Sequence, residues 1–130
     1  MLFEDVPCAI SVEQVLAALR AIRVTRIGQL ECTLHDAVCA SLAAQGIPFQ
    51  REYSFAPGCR ADAWVEGIVV EVKKQRPARA ALEDQLARYA EQPSVRSIIV
   101  VLERSIILPR AIEEKPVHVL SLNALWGIAL

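Results

Sequence analysis

The chain has 130 residues, 54% of them hydrophobic, which fits one compact domain with a real core and leaves little room for a second. Fourteen basic against fifteen acidic residues give a net charge of -1, which excludes a globally basic, histone-like attraction to nucleic acid, so any such contact must come from local charge. Cys8, Cys32, Cys39 and Cys59 form no C-x-x-C pair and have no histidine at ligand spacing, which argues against a zinc site or a disulfide scaffold and reads them as reduced packing residues. The first ten residues contain no Lys or Arg, and the longest aliphatic run, Ile98 to Leu102, is too short to span a bilayer; a soluble, cytoplasmic protein is expected.

Taken in chain order, Ser11 and Gln14 have capping-box spacing, and Val12, Val15, Leu16, Leu19 and Ile22 recur at helical intervals, predicting a first helix to about Ile22. A second helix is expected from about Gly28 to Gln45, with Leu30, Leu34, Ala37, Val38, Ser41 and Leu42 inward and Gly46 as its stop. Gln50 to Phe55, Arg60 to Val65 and Ile68 to Lys73 are rich in β-branched and aromatic residues and are punctuated by Pro57-Gly58 and Gly67, which predicts a three-stranded meander. A third helix follows over Ala78 to Glu91, with Leu82, Gln85, Leu86 and Tyr89 as its inner stripe. Val95 to Leu102 reads as a buried central strand, Val117 to Leu120 as a last strand, and Ser121 as the cap of a short helix containing Trp126. The order α-α-β-β-β-α-β-β-α implies an α/β fold, a mixed sheet flanked by helices, in a single domain over residues 1–130.

The chemistry concentrates around Glu66-Gly67. A two-residue turn there sets Val65 against Ile68, Trp64 against Val69 and Asp62 against Glu71; a three-residue loop with a bulge is the alternative and still keeps both acids on one face. Alternation then projects Asp62, Trp64, Val69, Glu71 and Lys73 from one side, with Arg60 opposite Lys73. Carboxylates facing each other at about 5 Å destabilise a sheet unless neutralised. Either a hard divalent cation, Mg²⁺ or Mn²⁺, does this, or Arg60 and Lys73 do so as ordinary cross-strand ion pairs.

Arg60-Ala61-Asp62, nine residues, then Glu71-Val72-Lys73 resembles the PD-(D/E)XK nuclease superfamily, with Ala61 where the motif's name has proline. That resemblance implies a restriction-endonuclease-like fold and a metal-dependent nuclease hydrolysing DNA phosphodiesters. Asp62, Glu71 and the Val72 carbonyl would hold Mg²⁺ (or Mn²⁺), and Lys73 would orient the attacking water and stabilise the developing charge. Glu31, on the helix before the meander, matches the acidic residue common there and would reach the metal directly or through water. Gln85-Leu86-Ala87-Arg88-Tyr89 resembles the Q-x-x-x-Y helix of RecB-type nucleases, and its i, i+4 spacing puts Gln85 and Tyr89 on one face toward the sheet, where a metal-bound water, Lys73 or a substrate phosphate would partner the amide.

Local charge favours a nucleic-acid partner: between Arg20 and Arg79 lie nine basic residues, and three of the six acids there are the candidate metal ligands. Lys74, Arg76 and Arg79, just past the catalytic strand, are the expected phosphate contacts. His35 is either a water- or phosphate-contacting group beside the site or an ordinary helix-border residue, and His118 reads as structural. The competing class is a non-catalytic nucleic-acid-binding or assembly module retaining the fold. The apolar tail from Ala124 to Leu130, with a mean hydropathy of +0.33 for the chain, either packs on the core or buries a homodimer interface. No sequence-reading element is evident, so a targeting partner protein is a further expectation.

Overall fold

The computed structural model describes residues 10–22, 31–74 and 77–122, with the backbone alone for residues 31–33. The Gly28 start of the second helix, Leu30 and the tail with Trp126 lie outside the described residues, as does the expected final helix beyond Leu122.

Ser11 caps α1 (Val12–Arg20) as its spacing predicts: its hydroxyl accepts from the Gln14 N–H at 3.1 Å, and the Gln14 side chain accepts from the Ser11 N–H at 2.8 Å. α2 (Glu31–Ala44) ends in a Schellman motif. Gly46 has φ +70, its N–H donates to the Ala43 carbonyl, and the Ile47 N–H donates to the Leu42 carbonyl, with Ile47 and Leu42 both buried.

Three antiparallel strands follow, β1 (Gln50–Ala56), β2 (Cys59–Val65) and β3 (Ile68–Lys73), then α3 (Arg79–Ala90) and β4 (Ser97–Leu102), which runs parallel to β3. A parallel neighbour needs a crossover connection, and α3 provides it. The chain closes with a short β5 (Ala111–Ile112) and β6 (Lys115–Ser121), giving a six-stranded mixed sheet ordered β1-β2-β3-β4-β6-β5. The described part is thus α/β, with helices on both faces. β5 was not foreseen, since two residues are too few to show alternation, and Ser121 ends β6 within the described residues.

The sheet separates two cores. Leu16, Leu19, Leu34, Val38 and Leu42 of α1 and α2 pack with Val70, Val72, Ile99 and Val101 on one face. Leu82, Leu86 and Tyr89 of α3 pack with Val69, Ile98, Val100 and Leu102 on the other. β4 feeds both, which is why all six of its residues are buried and its sequence is unbroken aliphatic after Ser97.

Two of the three hairpins turn on two residues with positive φ, Glu66 (49) with Gly67 (93) and Glu113 (51) with Glu114 (65), the backbone a tight right-twisting hairpin requires. The first turn is also a junction. Arg96 donates to the Glu66 carbonyl at 2.7 Å and to the Ile10 carbonyl, and the Ile10 N–H donates to the Glu66 carboxylate at 2.9 Å. The Arg96 N–H bonds the Gly67 carbonyl at 2.8 Å, which brings the backbone so close that a Cβ on Gly67 would stand 2.8 Å from the Ser94 carbonyl oxygen. A fourth non-glycine with positive φ, Glu52 (52), sits inside edge strand β1 between the paired positions Arg51–Ala63 and Tyr53–Ala61, opposite Asp62.

Two stability changes of opposite sign follow. Gly67→Ala must both adopt φ +93 and displace the Ser94 carbonyl, and should cost well over ~1 kcal/mol in chemical denaturation. Replacing Glu113-Glu114 by Asn-Gly relieves two left-handed residues that carry side chains and should raise stability by about 1 kcal/mol in the same assay.

Candidate metal and phosphodiester site

The β2–β3 ladder runs Val65–Ile68, Trp64–Val69, Ala63–Val70 and stops there. The predicted turn and register hold, but the expected cross-strand pair of Asp62 with Glu71 is not part of the ladder. Beyond Ala63 the Asp62 side chain takes over, its Oδ2 accepting the Val72 N–H at 2.7 Å. The side chain of one strand thus occupies the place of a backbone partner, and a notch opens between the strands. A strand residue presents its N–H and C=O to the same neighbour, so the Val72 carbonyl opens on this notch as well.

The face alternation of β2 slips at the same point. Cys59 and Ala61 pack under α3, whereas Ala63 and Val65 pack under α1 and α2, although all four share one parity. Asp62 therefore borders both faces: it lines a cleft toward α3, and from the α2 side His35 brings Nε2 to 3.7 Å of Asp62 Oδ2. His35 thus lies beside the site, and not merely on a helix border, the reading its sequence position favours.

Glu71 lies on the α3 face, with 4% of its surface exposed. Its Oε2 receives the Lys73 ammonium at 3.2 Å and the Gln85 amide at 3.3 Å, while its Oε1 is buried with no hydrogen-bond partner among the described residues. Burial, and next the nearby Asp62 charge, push the Glu71 carboxyl up to about 7 against the pull of Lys73 and Gln85. Gln85 donates a second hydrogen bond to the Tyr89 hydroxyl at 3.0 Å, and that hydroxyl donates to the Arg60 carbonyl at 2.9 Å. The Tyr89 phenol is held up to about 12 by burial and by Glu71, so it stays a donor. Gln85 and Tyr89 together form a relay from the start of β2 through α3 to Glu71, as their i, i+4 spacing predicts.

Above these groups is an open cleft of about 430 Å³ whose lining includes Arg60, Asp62, Glu71, Gln85, Arg88 and Tyr89. Arg60, expected at this end of the sheet, lines the cleft, and so does Arg88, which sequence spacing did not single out because it comes from a different element. Of the residues read as phosphate contacts, Arg79 is ion-paired with Glu83 on its own helix at 2.7 Å, Lys74 is half-buried just past β3, and Arg76 lies outside the described residues. The Glu31 side chain also lies outside them. Cys59 is buried, and burial pushes the half-buried Cys39 thiol up, in keeping with packing roles.

Among the described residues no three His, Cys, Asp or Glu side chains converge as a ready metal cage. Mg²⁺, however, commonly binds through one or two carboxylates and keeps several waters. The orphaned, buried Glu71 Oε1, the adjacent Asp62 carboxylate and the Val72 carbonyl at the notch fit such an ion. Among the described residues no helix is long and apolar enough to cross a membrane. Compared with known proteins, the chain matches no family model, no curated protein and no solved structure.

The raised Glu71 carboxyl fixes the sign of a pH effect. Between its ordinary value of 4.5 and about 7 the folded protein keeps a proton that the unfolded chain has released. The stability this group contributes is therefore present below about 4.5 and lost as pH rises through about 7. Without divalent metal, Glu71→Gln should raise the melting temperature at pH 8 and leave it near wild type at pH 4.5. Mn²⁺ should raise the wild-type midpoint at pH 8 but not the variant's; a variant less stable than wild type at pH 8 contradicts the assignment.

Proposed function

We propose that this chain is a divalent-metal-dependent nuclease that hydrolyses DNA phosphodiester bonds at Asp62, Glu71 and Lys73. The observation that carries the reading is the Glu71 carboxylate, buried beside a second acid with one oxygen unsatisfied and the other fixed by Lys73 and Gln85. A buried acid with an unpaired oxygen is a costly arrangement for a purely structural sheet and a suitable one for a cation.

Asp62, Glu71 and the Val72 carbonyl would hold Mg²⁺ or Mn²⁺, with Glu31 as the expected further acid. Bound there, the ion supplies Lewis-acid polarisation and lowers the pKa of water. The protein's own contribution is positioning. Asp62 is locked by the Val72 N–H, Glu71 by the Gln85 amide, and Gln85 by Tyr89. Lys73, held 3.2 Å from Glu71, is placed to orient the attacking water and to stabilise charge building on the phosphorane oxygens. The meander, crossover helix and parallel fourth strand, with the acids at the carboxyl end of β3, support a restriction-endonuclease-like assignment of the fold.

A non-catalytic nucleic-acid-binding or assembly module is the second reading, favoured by the Lys73–Glu71 ion pair, which already neutralises one acid. Incubation with linear DNA, circular DNA and RNA in Mg²⁺, Mn²⁺ or EDTA separates the two. Cleavage should require metal and fall by about 10²-fold or more in Asp62→Ala and Lys73→Ala of confirmed fold. No cleavage, together with no heat of Mn²⁺ binding by calorimetry, leaves the binding module.

A further inference from the structure

We infer that Arg60 and Arg88 form a two-armed seat for a backbone phosphate of the nucleic acid beside the scissile bond, an inference that rests on the nuclease reading above. Both line the cleft that contains Asp62, Glu71 and Gln85. They reach it from two different elements that wall it, Arg60 from the start of β2 and Arg88 from the last turn of α3. Those walls are fastened to one another at these two positions. The Tyr89 hydroxyl donates to the Arg60 carbonyl at 2.9 Å, and the Cys59 thiol lies 3.9 Å from the Arg88 carbonyl. Residues 59 and 60 thus contact residues 88 and 89 across the junction, and two long side chains rooted there can converge on one ligand.

Neither guanidinium has a hydrogen-bond or ion-pair partner among the described residues, whereas Arg51, Arg79 and Arg96 are engaged with Asp36, Glu83 and Glu66. Two uncommitted guanidiniums over a polar cleft, next to carboxylates that call for a cation, suit a phosphate, since each offers a planar fork that can bind it bidentately. Asp62 and Glu71 repel that same anion unless a cation stands between, so the arginines and the metal site complement each other around one phosphodiester. The Gln85–Tyr89 relay gains a second role: Tyr89 fixes the backbone of Arg60 while Gln85 fixes Glu71, which couples the anion seat to the acid.

The test measures anisotropy of a short fluorescein-labelled single-stranded DNA and of its duplex with Ca²⁺ in place of Mg²⁺, over a salt series, for wild type, Arg60→Gln, Arg88→Gln and a distant charge control, Arg20→Gln, all of matched melting temperature. Each cleft substitution should weaken binding several-fold and make the slope of log K against log[salt] shallower by about 0.7 on the single strand and about 0.9 on the duplex, the value of one phosphate contact, while Arg20→Gln leaves it unchanged. Unchanged slopes, an equal loss in Arg20→Gln, or no binding by wild type overturns the seat. Parallel cleavage assays keep the two ideas apart. Wild type that binds through both arginines without cleaving sinks the catalytic reading alone, whereas Arg60→Gln and Arg88→Gln cleaving with wild-type kcat/KM sink the seat alone.

Discussion

One hydrogen bond organises the acidic end of this sheet: the Val72 N–H into the Asp62 carboxylate, 2.7 Å long. An antiparallel ladder that continued past Ala63–Val70 would hold Asp62 and Glu71 as a repelling cross-strand pair and consume the backbone groups around them. By replacing the ladder with a side chain, the chain satisfies the Val72 donor and opens a notch at the spot where two acids meet. The notch exists only because the register is fixed upstream. The Glu66-Gly67 turn sets it, and Arg96 and Ile10 anchor that turn to the rest of the protein. A slip of one residue would turn Glu71 toward α1 and α2 and Val72 toward α3.

The site's electrostatics follow from this arrangement. Glu71 is buried by the helix that completes the parallel crossover, and desolvation works against its charge. Lys73 and Gln85 offset that only in part, and both act on the same oxygen, Oε2. The other oxygen has no hydrogen-bond partner among the described residues. Charge compensation is therefore incomplete by construction, and the missing share is positive. The cleft above repeats the pattern in the opposite sense, with arginines that have no acidic partner among the described residues.

Much of this was legible in the residues themselves. Ser11 and Gln14 spelled a cap, Gly46 a helix stop, and Glu66-Gly67 a turn whose period-2 alternation placed Glu71 and Lys73 beside Asp62; Gln85 and Tyr89 declared a shared face by their spacing. Each is a short-range signal, carried within one helical turn or one hairpin. What escaped depends on meetings between distant segments or on departures from regularity. The approach of His35 to Asp62 needs the packing of α2 on the sheet, and the pairing of Arg60 with Arg88 needs α3 to land on the start of β2. The early end of the ladder is a competition between a side chain and a backbone that alternation cannot anticipate. The left-handed Glu52 has no signature at all, since nothing in its neighbours forbids an ordinary strand there. For that residue the structure offers position, opposite Asp62, and no sequence cause.

The end of α3 depends on a residue far along the chain. Lys115, the first residue of β6, donates to the Ala90, Gln92 and Val95 carbonyls at 3.0, 3.1 and 2.6 Å, tying the last residue of α3 to the turn that leads into β4. Its ammonium sits where the helix dipole is negative, and its backbone belongs to the hairpin that closes the sheet edge. During synthesis the helix bearing Gln85 and Tyr89 emerges well before Lys115 does, so this ammonium reaches the helix end only once β6 has been made. Assembly of the site is thereby tied to completion of the far sheet edge, a contact of long sequence separation that belongs to a late stage of folding.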